Sequence, residues 1–201
     1  MIVPYVVEKT AGGGERALDV YSRLLADRIV YLGSPIDDDV ANVVVAQLLH
    51  LESAEPGNPI DLYVNSPGGS PSAMLAIYDA MQYVRSPVLT TCVGQASADA
   101  AVLVAGGEAD HRAVLAHARM VLHQPGTQSR GDVPDLIIAA DEIVRVRAEL
   151  EEVLARHTGK GVAELRRDTD RALVLTAEQS VAYGLADHVI VAREDVMRRA
   201  G

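Results

Sequence analysis

The feature that most constrains this chain is an alternation of two kinds of run. Short aliphatic and β-branched runs fall at 28–32, 60–65, 88–93, 113–115, 119–122 and 186–191. Helix-like stretches lie between most of them, at 20–27, 40–53, 71–84 and 97–105. That interleaving predicts an α/β fold of β-α units. Asp37-Asp38-Asp39 places carboxylates where a helix dipole favours them. The longest helical stretch follows Asp132, a good N-cap type, with Pro134 in its first turn and Asp135 three residues after the cap. Its apolar residues recur at Leu136, Ala140, Ile143, Val144, Leu150 and Leu154, and Gly159 is suited to stop it. A helix of ~25 residues is about 37 Å long, more than a core of this size requires, so part of it is expected to project towards another subunit. Residues 173–183 read as one more helical region.

Composition narrows the class. Of 201 residues 49% are hydrophobic, yet none is Phe or Trp, so the core must be built from Val, Leu, Ile and Ala. A charged fraction of 23% excludes intrinsic disorder. Cys92 is the sole cysteine, which excludes an internal disulfide and points to a reducing cytoplasm. The net charge of −10 argues against nucleic acid as a partner and against anionic membranes. No basic n-region followed by an apolar h-region opens the sequence, so no secretory signal is expected, and the apolar stretch at 100–107 falls far short of the ~20 residues that span a bilayer. Residues 1–17 read as an irregular, flexible segment broken by Ala11-Gly12-Gly13-Gly14, followed by a single domain over 18–201.

Three places carry chemistry. Ser66-Pro67-Gly68-Gly69-Ser70 joins a strand to a helix and exposes backbone amides suited to an anion or oxyanion; an ordinary turn needing glycine dihedrals explains it equally. Gly94-Gln95-Ala96-Ser97-Ala98-Asp99 ends a strand and begins a helix of small residues, the place for a nucleophile; the structural alternative is Ser97 as a helix N-cap. His123 ends a strand and is a candidate general base or a structural histidine. The other histidines and Cys92 lack zinc-like spacing, so no metal site is expected.

In order and spacing these motifs resemble the Clp protease proteolytic subunit (ClpP) family over nearly the whole chain. The likeness runs through Tyr21-Ser22-Arg23-Leu24-Leu25, Ala41-Asn42, Ala46-Gln47, Asn65-Ser66-Pro67-Gly68-Gly69, Ile77-Tyr78-Asp79 and Met81-Gln82. It continues through Gly94-Gln95-Ala96, His123-Gln124-Pro125, His157-Thr158-Gly159, Arg167-Asp168-Thr169 and Tyr183-Gly184-Leu185. The resemblance implies a crotonase-like fold with a protruding handle helix in a handle region at about 124–159. It implies seven-membered rings, stacked in pairs, of this chain or its paralogues around a chamber where unfolded polypeptides are cut. Clp-family AAA+ ATPases would dock outside, with ATP consumed by the ATPase and no cofactor in this subunit. His123 would be the base, and Gly68, Gly69 and Asp99 the oxyanion hole. Tyr63 and Tyr83 would line the ATPase pocket, weakened by Asp61 in place of an aromatic. Asp132, Asp135 and Arg171 would make ring-to-ring contacts, with Asp132 in place of the family's Gln. Met1-Ile2-Val3-Pro4 resembles the start of a mature subunit.

The chain departs from the family where the chemistry lies. Ungapped, the family's nucleophilic Ser falls on Ala98 and its Asp on Ala172. Ser97 sits one residue early, a rotation of ~100° on a helix, and Asp170 sits two residues from the acid slot. Both are poor substitutes. Two origins fit Ala98: an engineered Ser→Ala change or natural loss. Ala172 favours the second, since a single engineered change does not account for it. The expected functions are a peptidase subunit inactive as it stands, or a natural non-catalytic subunit completing or regulating a ring with an active paralogue. A crotonase-type acyl-CoA enzyme shares the fold class, but His123 and the long helix argue against it.

Overall fold

The computed structural model describes residues 3–9, 14–126 and 131–192. Its elements run β1 (Tyr5–Lys9), β2 (Glu15–Asp19), α1 (Val20–Ala26), β3 (Ile29–Leu32), α2 (Asp38–Ala54), β4 (Ile60–Ser66), α3 (Pro71–Tyr83) and β5 (Val88–Ser97). They continue with α4 (Asp99–Ala105), β6 (Ala113–Leu115), β7 (Arg119–Leu122), α5 (Val133–Thr158), α6 (Val162–Asp168), β8 (Leu173–Leu175), α7 (Ala177–Tyr183) and β9 (His188–Ile190).

The main sheet has the order β3-β4-β5-β6-β9, with β7 paired to both β5 and β8. Every pairing is parallel except β7 with β8. This is the crotonase-like architecture of the predicted fold class. Parallel strands joined by helices need cover on their faces. On β4 the buried residues alternate strictly, with Leu62 and Val64 in the core and Asp61, Tyr63 and Asn65 half-buried on the other face. Helix α3 sends Met74, Ile77 and Met81 into the same core. The largest fully buried side chains are Leu, Ile and Met, as a chain without Phe or Trp requires.

Several local readings change. The segment read as irregular over 1–17 holds β1 and the first part of β2, which pair as an antiparallel hairpin with Val7 opposite Ala17. Its strands are mostly exposed (Tyr5 74%, Val7 60%) and so lack the apolar alternation that marks a strand in sequence. Residues 11–13 of the glycine break lie outside the described residues. Residues 173–183 split into β8 and α7, divided at Thr176, whose side chain and Gln179 form a capping box. Helix α6 was not anticipated; at 7 residues it is too short to show periodicity, and it buries only Leu165.

Helix α5 is amphipathic only in part. Its C-terminal half buries Leu150, Glu151, Val153 and Leu154, while Val133, Ile137 and Ile138 near its start are 70%, 57% and 67% exposed. One end is anchored and the other stands away from the core, as expected of a handle. Residues 127–130 of the predicted handle region lie outside the described residues. Asp132 has N-cap backbone geometry, but its side chain makes no capping hydrogen bond. Gly159 closes the helix with φ +71°, the left-handed conformation glycine adopts at little cost.

Candidate active site

The site is built on an irregularity in β5. This strand pairs with β6 through Thr91 and Cys92, then with β7 through Gln95, Ala96 and Ser97. Gly94 had read as the end of the strand, yet the strand runs on to Ser97. Glycine is needed there because a Cβ would lie 2.6 Å from Asn65 Oδ1, the atom that accepts the Gln95 amide at 3.2 Å. Asn65 thus bridges the register shift between Val64 and Ser66, and β5 turns towards β7.

The turn from β5 into α4 falls on Ala98, whose φ of 50° and ψ of −116° are unusual for a residue with a Cβ. Its amide donates to Val121 O at 2.7 Å, which pins the elbow to β7. A sharp strand-to-helix turn of this kind presents its side chain at the head of a sheet. Here that side chain is a methyl group. Ser97 is the last residue of β5, opposite Val121, and is not the N-cap of α4 as one reading had it. Among the described residues no hydrogen bond joins it to His123.

His123 follows directly after β7 and is exposed. Its Nδ1 lies 2.6 Å from the Gln124 carbonyl. Strands β7 and β8 pair antiparallel with Leu122 opposite Leu173, so one further step of register sets Ala172 beside His123. Cross-strand Cβ atoms are about 4.5–5.5 Å apart, within reach of a carboxylate at 172. None is present, and a backbone carbonyl takes the imidazole nitrogen that a carboxylate would orient. The neighbouring acids do not replace it. Asp168 accepts the Tyr183 hydroxyl at 2.7 Å, and exposed Asp170 stands 4.0 Å from Arg171.

The glycine pair is fixed by close packing. Gly68 has φ +91°, and a Cβ there would lie 2.6 Å from Ser97 O. A Cβ on Gly69 would lie 2.0 Å from Ile36 O. The Ile36 amide donates to Gly68 O at 3.0 Å, and Ile36 O accepts from Ser70 N at 2.7 Å. The loop amides turn inward: Gly68 N donates to Ser66 Oγ at 3.2 Å, and Gly69 N to Asp99 Oδ2 at 3.3 Å. Asp99 is only 6% exposed. Burial pushes its carboxyl above the usual aspartate range, opposed by the Gly69 amide, its own amide and nearby His123.

Ala98, Asp99, Val102, Leu122, His123, Pro125 and Leu154 are among the residues lining one cleft of about 20 Å³, room for a single water. Arg147 of α5 enters this cleft and donates to Gln124 Oε1 at 2.7 Å and to the buried Glu151 at 2.8 Å. That contact joins the long helix to the residue after His123; sequence reading missed it, although Arg147 and Glu151 at i, i+4 were the available signal.

Of the remaining predicted residues, Tyr63 is half-buried on β4 and Tyr83 ends α3 at 81% exposure. Arg171 is exposed, and among the described residues no ion pair joins it to Asp132 or Asp135. No helix of the described residues is long and apolar enough to cross a membrane.

Together, the elbow, the strand-end histidine and the amide loop define an α/β protein with the frame of a nucleophile-elbow hydrolase and no hydroxyl at the elbow. Comparison with known proteins gives the family. A family model described as Clp protease matches residues 12–193. The chain is 55% identical over 190 residues to ATP-dependent Clp protease proteolytic subunit 4 of Rhodococcus jostii, covering 94% of this chain and 97% of that one. It is 55% identical over 191 residues to proteolytic subunit 1 of Nocardia farcinica, covering 95% and 97% respectively. It is 56% identical over 192 residues to proteolytic subunit 2 of Streptomyces avermitilis, covering 95% and 96%. The chain belongs to the Clp protease family.

Proposed function

We propose that this chain is a catalytically silent proteolytic-type subunit of a Clp protease, working in a mixed ring with an active paralogue. The observation that carries the reading is the pairing of Ala98 at the strained elbow with His123 bonded through Nδ1 to its neighbour's carbonyl. The frame for acyl transfer is kept, but the hydroxyl nucleophile and the orienting carboxylate are absent. Loss of one member of such a triad costs ~10⁴ or more in rate, and losses within one unit do not add. The numbering of the relatives as subunits 1, 2 and 4 fits a family in which several proteolytic subunits serve one protease.

The free half of α5 supports a ring-to-ring role: its exposed Val133, Ile137, Ile138 and Val144 suit burial against another subunit. Asp132, Asp135 and Arg171 would flank that contact. The relatives are named as subunits of an ATP-dependent protease, which supports a partner ATPase that consumes ATP; this subunit would need no cofactor of its own. Tyr63 and Tyr83 would contribute to a docking pocket for that ATPase, weakened by Asp61. A cytoplasmic location accompanies this role.

The test is turnover of a fluorogenic peptide by the chain alone, by its Ala98→Ser/Ala172→Asp form, and by each mixed with an active paralogue, with native mass spectrometry of the mixtures. Mixed rings in which this chain contributes no turnover support the proposal. Hydrolysis by the unmodified chain alone, or failure to enter any ring, overturns it.

A further inference from the structure

We propose that Asp99 is an anion-excluding residue: its carboxylate occupies the Gly69 amide, which would otherwise receive a substrate's oxyanion or a product's terminal carboxylate. The inference rests on the silent-subunit reading above and goes beyond the missing nucleophile and acid.

Of the three amides that the resemblance gives to the oxyanion hole, those of Gly68 and Gly69 already have acceptors within the chain. Gly68 N donates to buried Ser66 Oγ, and Gly69 N donates to Asp99 Oδ2 at 3.3 Å. The third amide is Asp99's own, and it too stabilises the carboxylate. The carboxylate is held in place by its surroundings. Asp99 opens α4, in which every residue is buried, and Gly68 packs so closely on Ala98 that a Cβ there would lie 3.3 Å from the Ala98 Cβ. His123, Arg147 and Glu151 line the same cleft, and no hydrogen bond or ion pair of the described residues joins His123 or Arg147 to Asp99.

Two consequences follow. An acyl oxyanion forming at the elbow would meet a carboxylate where an active site offers donors, and loss of one such donor costs about 10²–10³ in rate. A peptide ending in a free carboxylate would be refused where its carboxamide is tolerated, because two anions cannot share the Gly69 amide. Restoring the hydroxyl at 98 and the acid at 172 therefore leaves the site disabled until Asp99 is also replaced.

The experiment compares binding of acetyl-Leu-Leu-Leu as free carboxylate and as carboxamide, by calorimetry, to the full chain and to its Asp99→Asn and Asp99→Ala forms. The expected result is a gain of at least about tenfold in carboxylate affinity in both variants, with the carboxamide unchanged. Carboxylate affinity that stays the same while the carboxamide binds overturns the role of Asp99 alone. Binding of neither peptide to any form overturns this inference, while the silent-subunit reading stands or falls on ring entry and turnover. Two variants guard against misfolding of one, and the unchanged carboxamide serves as the folded control. In the Ala98→Ser/Ala172→Asp background, Asp99→Ala is expected to raise turnover about 10²-fold; measurable turnover that Asp99→Ala leaves unchanged would also overturn the assignment.

Discussion

Arg166 of α6 grips Glu151 of α5, with Nη2 2.6 Å from Oε2 and Nε 3.0 Å from the same oxygen. Glu151 is 3% exposed and receives a second guanidinium from Arg147 at 2.8 Å. Burial opposes ionisation, but the two guanidiniums prevail and hold the carboxyl below the ordinary glutamate value. A depressed acid stabilises the fold above its unfolded value and loses that contribution as pH falls through the folded one. Glu151→Gln is expected to cost about 1.5–3 kcal/mol in urea unfolding at neutral pH, with the difference from the unmodified chain shrinking in acid. Because Arg147 also holds Gln124, the same variant should shift the His123 resonances in NMR spectra. Unchanged His123 signals would separate the ion pair from the site.

A second buried pair closes the fold at its far end. Arg112, 8% exposed, donates to Asp187 and to the carbonyls of Ala105, His157 and Gly184. It ties α4, α5 and the start of β9 together with one planar group. Replacing Asp187 by Asn leaves a buried guanidinium without its counter-charge, which costs about 3–5 kcal/mol. For a domain of this size that is a fall in Tm of roughly 6–20 °C. Arg112→Lys is expected to recover little, since an ammonium cannot reproduce the fork. Full stability in Arg112→Lys would contradict this account.

At Ala98 the usual sign of an Ala→Gly change should invert. Glycine at an ordinary position loses about 0.5–1 kcal/mol to chain entropy. Ala98 holds φ 50° and ψ −116°, a conformation that costs a residue with a Cβ about 1–3 kcal/mol. It also stands at a helix N-cap, where glycine is preferred over alanine. Ala98→Gly is therefore expected to stabilise the chain by about 1 kcal/mol in chemical denaturation. A destabilised variant would show that the elbow is unstrained.

Cys92 reads as redox-silent. Its side chain is fully buried on β5, and burial pushes the thiol up to about 11. The thiolate is the reactive form, so folded protein is expected to resist a disulfide reagent at mildly alkaline pH and to react with one equivalent on unfolding. Stoichiometric labelling of the native chain would refute it.

The sequence showed the β-α layering because β4 reads as an apolar alternation, Ile60, Leu62 and Val64, and β5 as an apolar and β-branched run over 88–93, with a helix-like stretch between them. It also located the elbow, the glycine pair and His123, whose residue types sit at element ends. It missed the β1–β2 hairpin because those strands face solvent and need no alternation. It placed the end of β5 at Gly94 because glycine usually breaks a strand, whereas here it makes room for the Asn65 amide. The inward turn of Asp99 was equally hidden: sequence places a carboxylate near the amides, and only packing decides which way it points. The Asp99–Gly69 and Arg147–Gln124 contacts join residues far apart in the chain, which no local pattern records.

His157 provides a pH handle on the anchored end of α5. Its Nε2 lies 2.8 Å from the Tyr78 hydroxyl, and the rings meet edge to face. Arg156 donates to the same hydroxyl at 3.4 Å, which leaves the Tyr78 proton for the imidazole. Burial first, then the charges of Arg112 and Arg156, hold the imidazole below the ordinary value of 6.5. A depressed histidine is neutral in the fold, while the unfolded chain takes up a proton at the ordinary value. Stability from this group is thus complete above that value and declines as pH falls below it. Tm is expected to drop between about pH 7.5 and 5.5, and less steeply in His157→Gln, which keeps a hydrogen-bonding side chain without a titrating one. Direct observation of the His157 C2 proton by NMR checks the cause: a midpoint at or above the ordinary value would assign the pH dependence to another group.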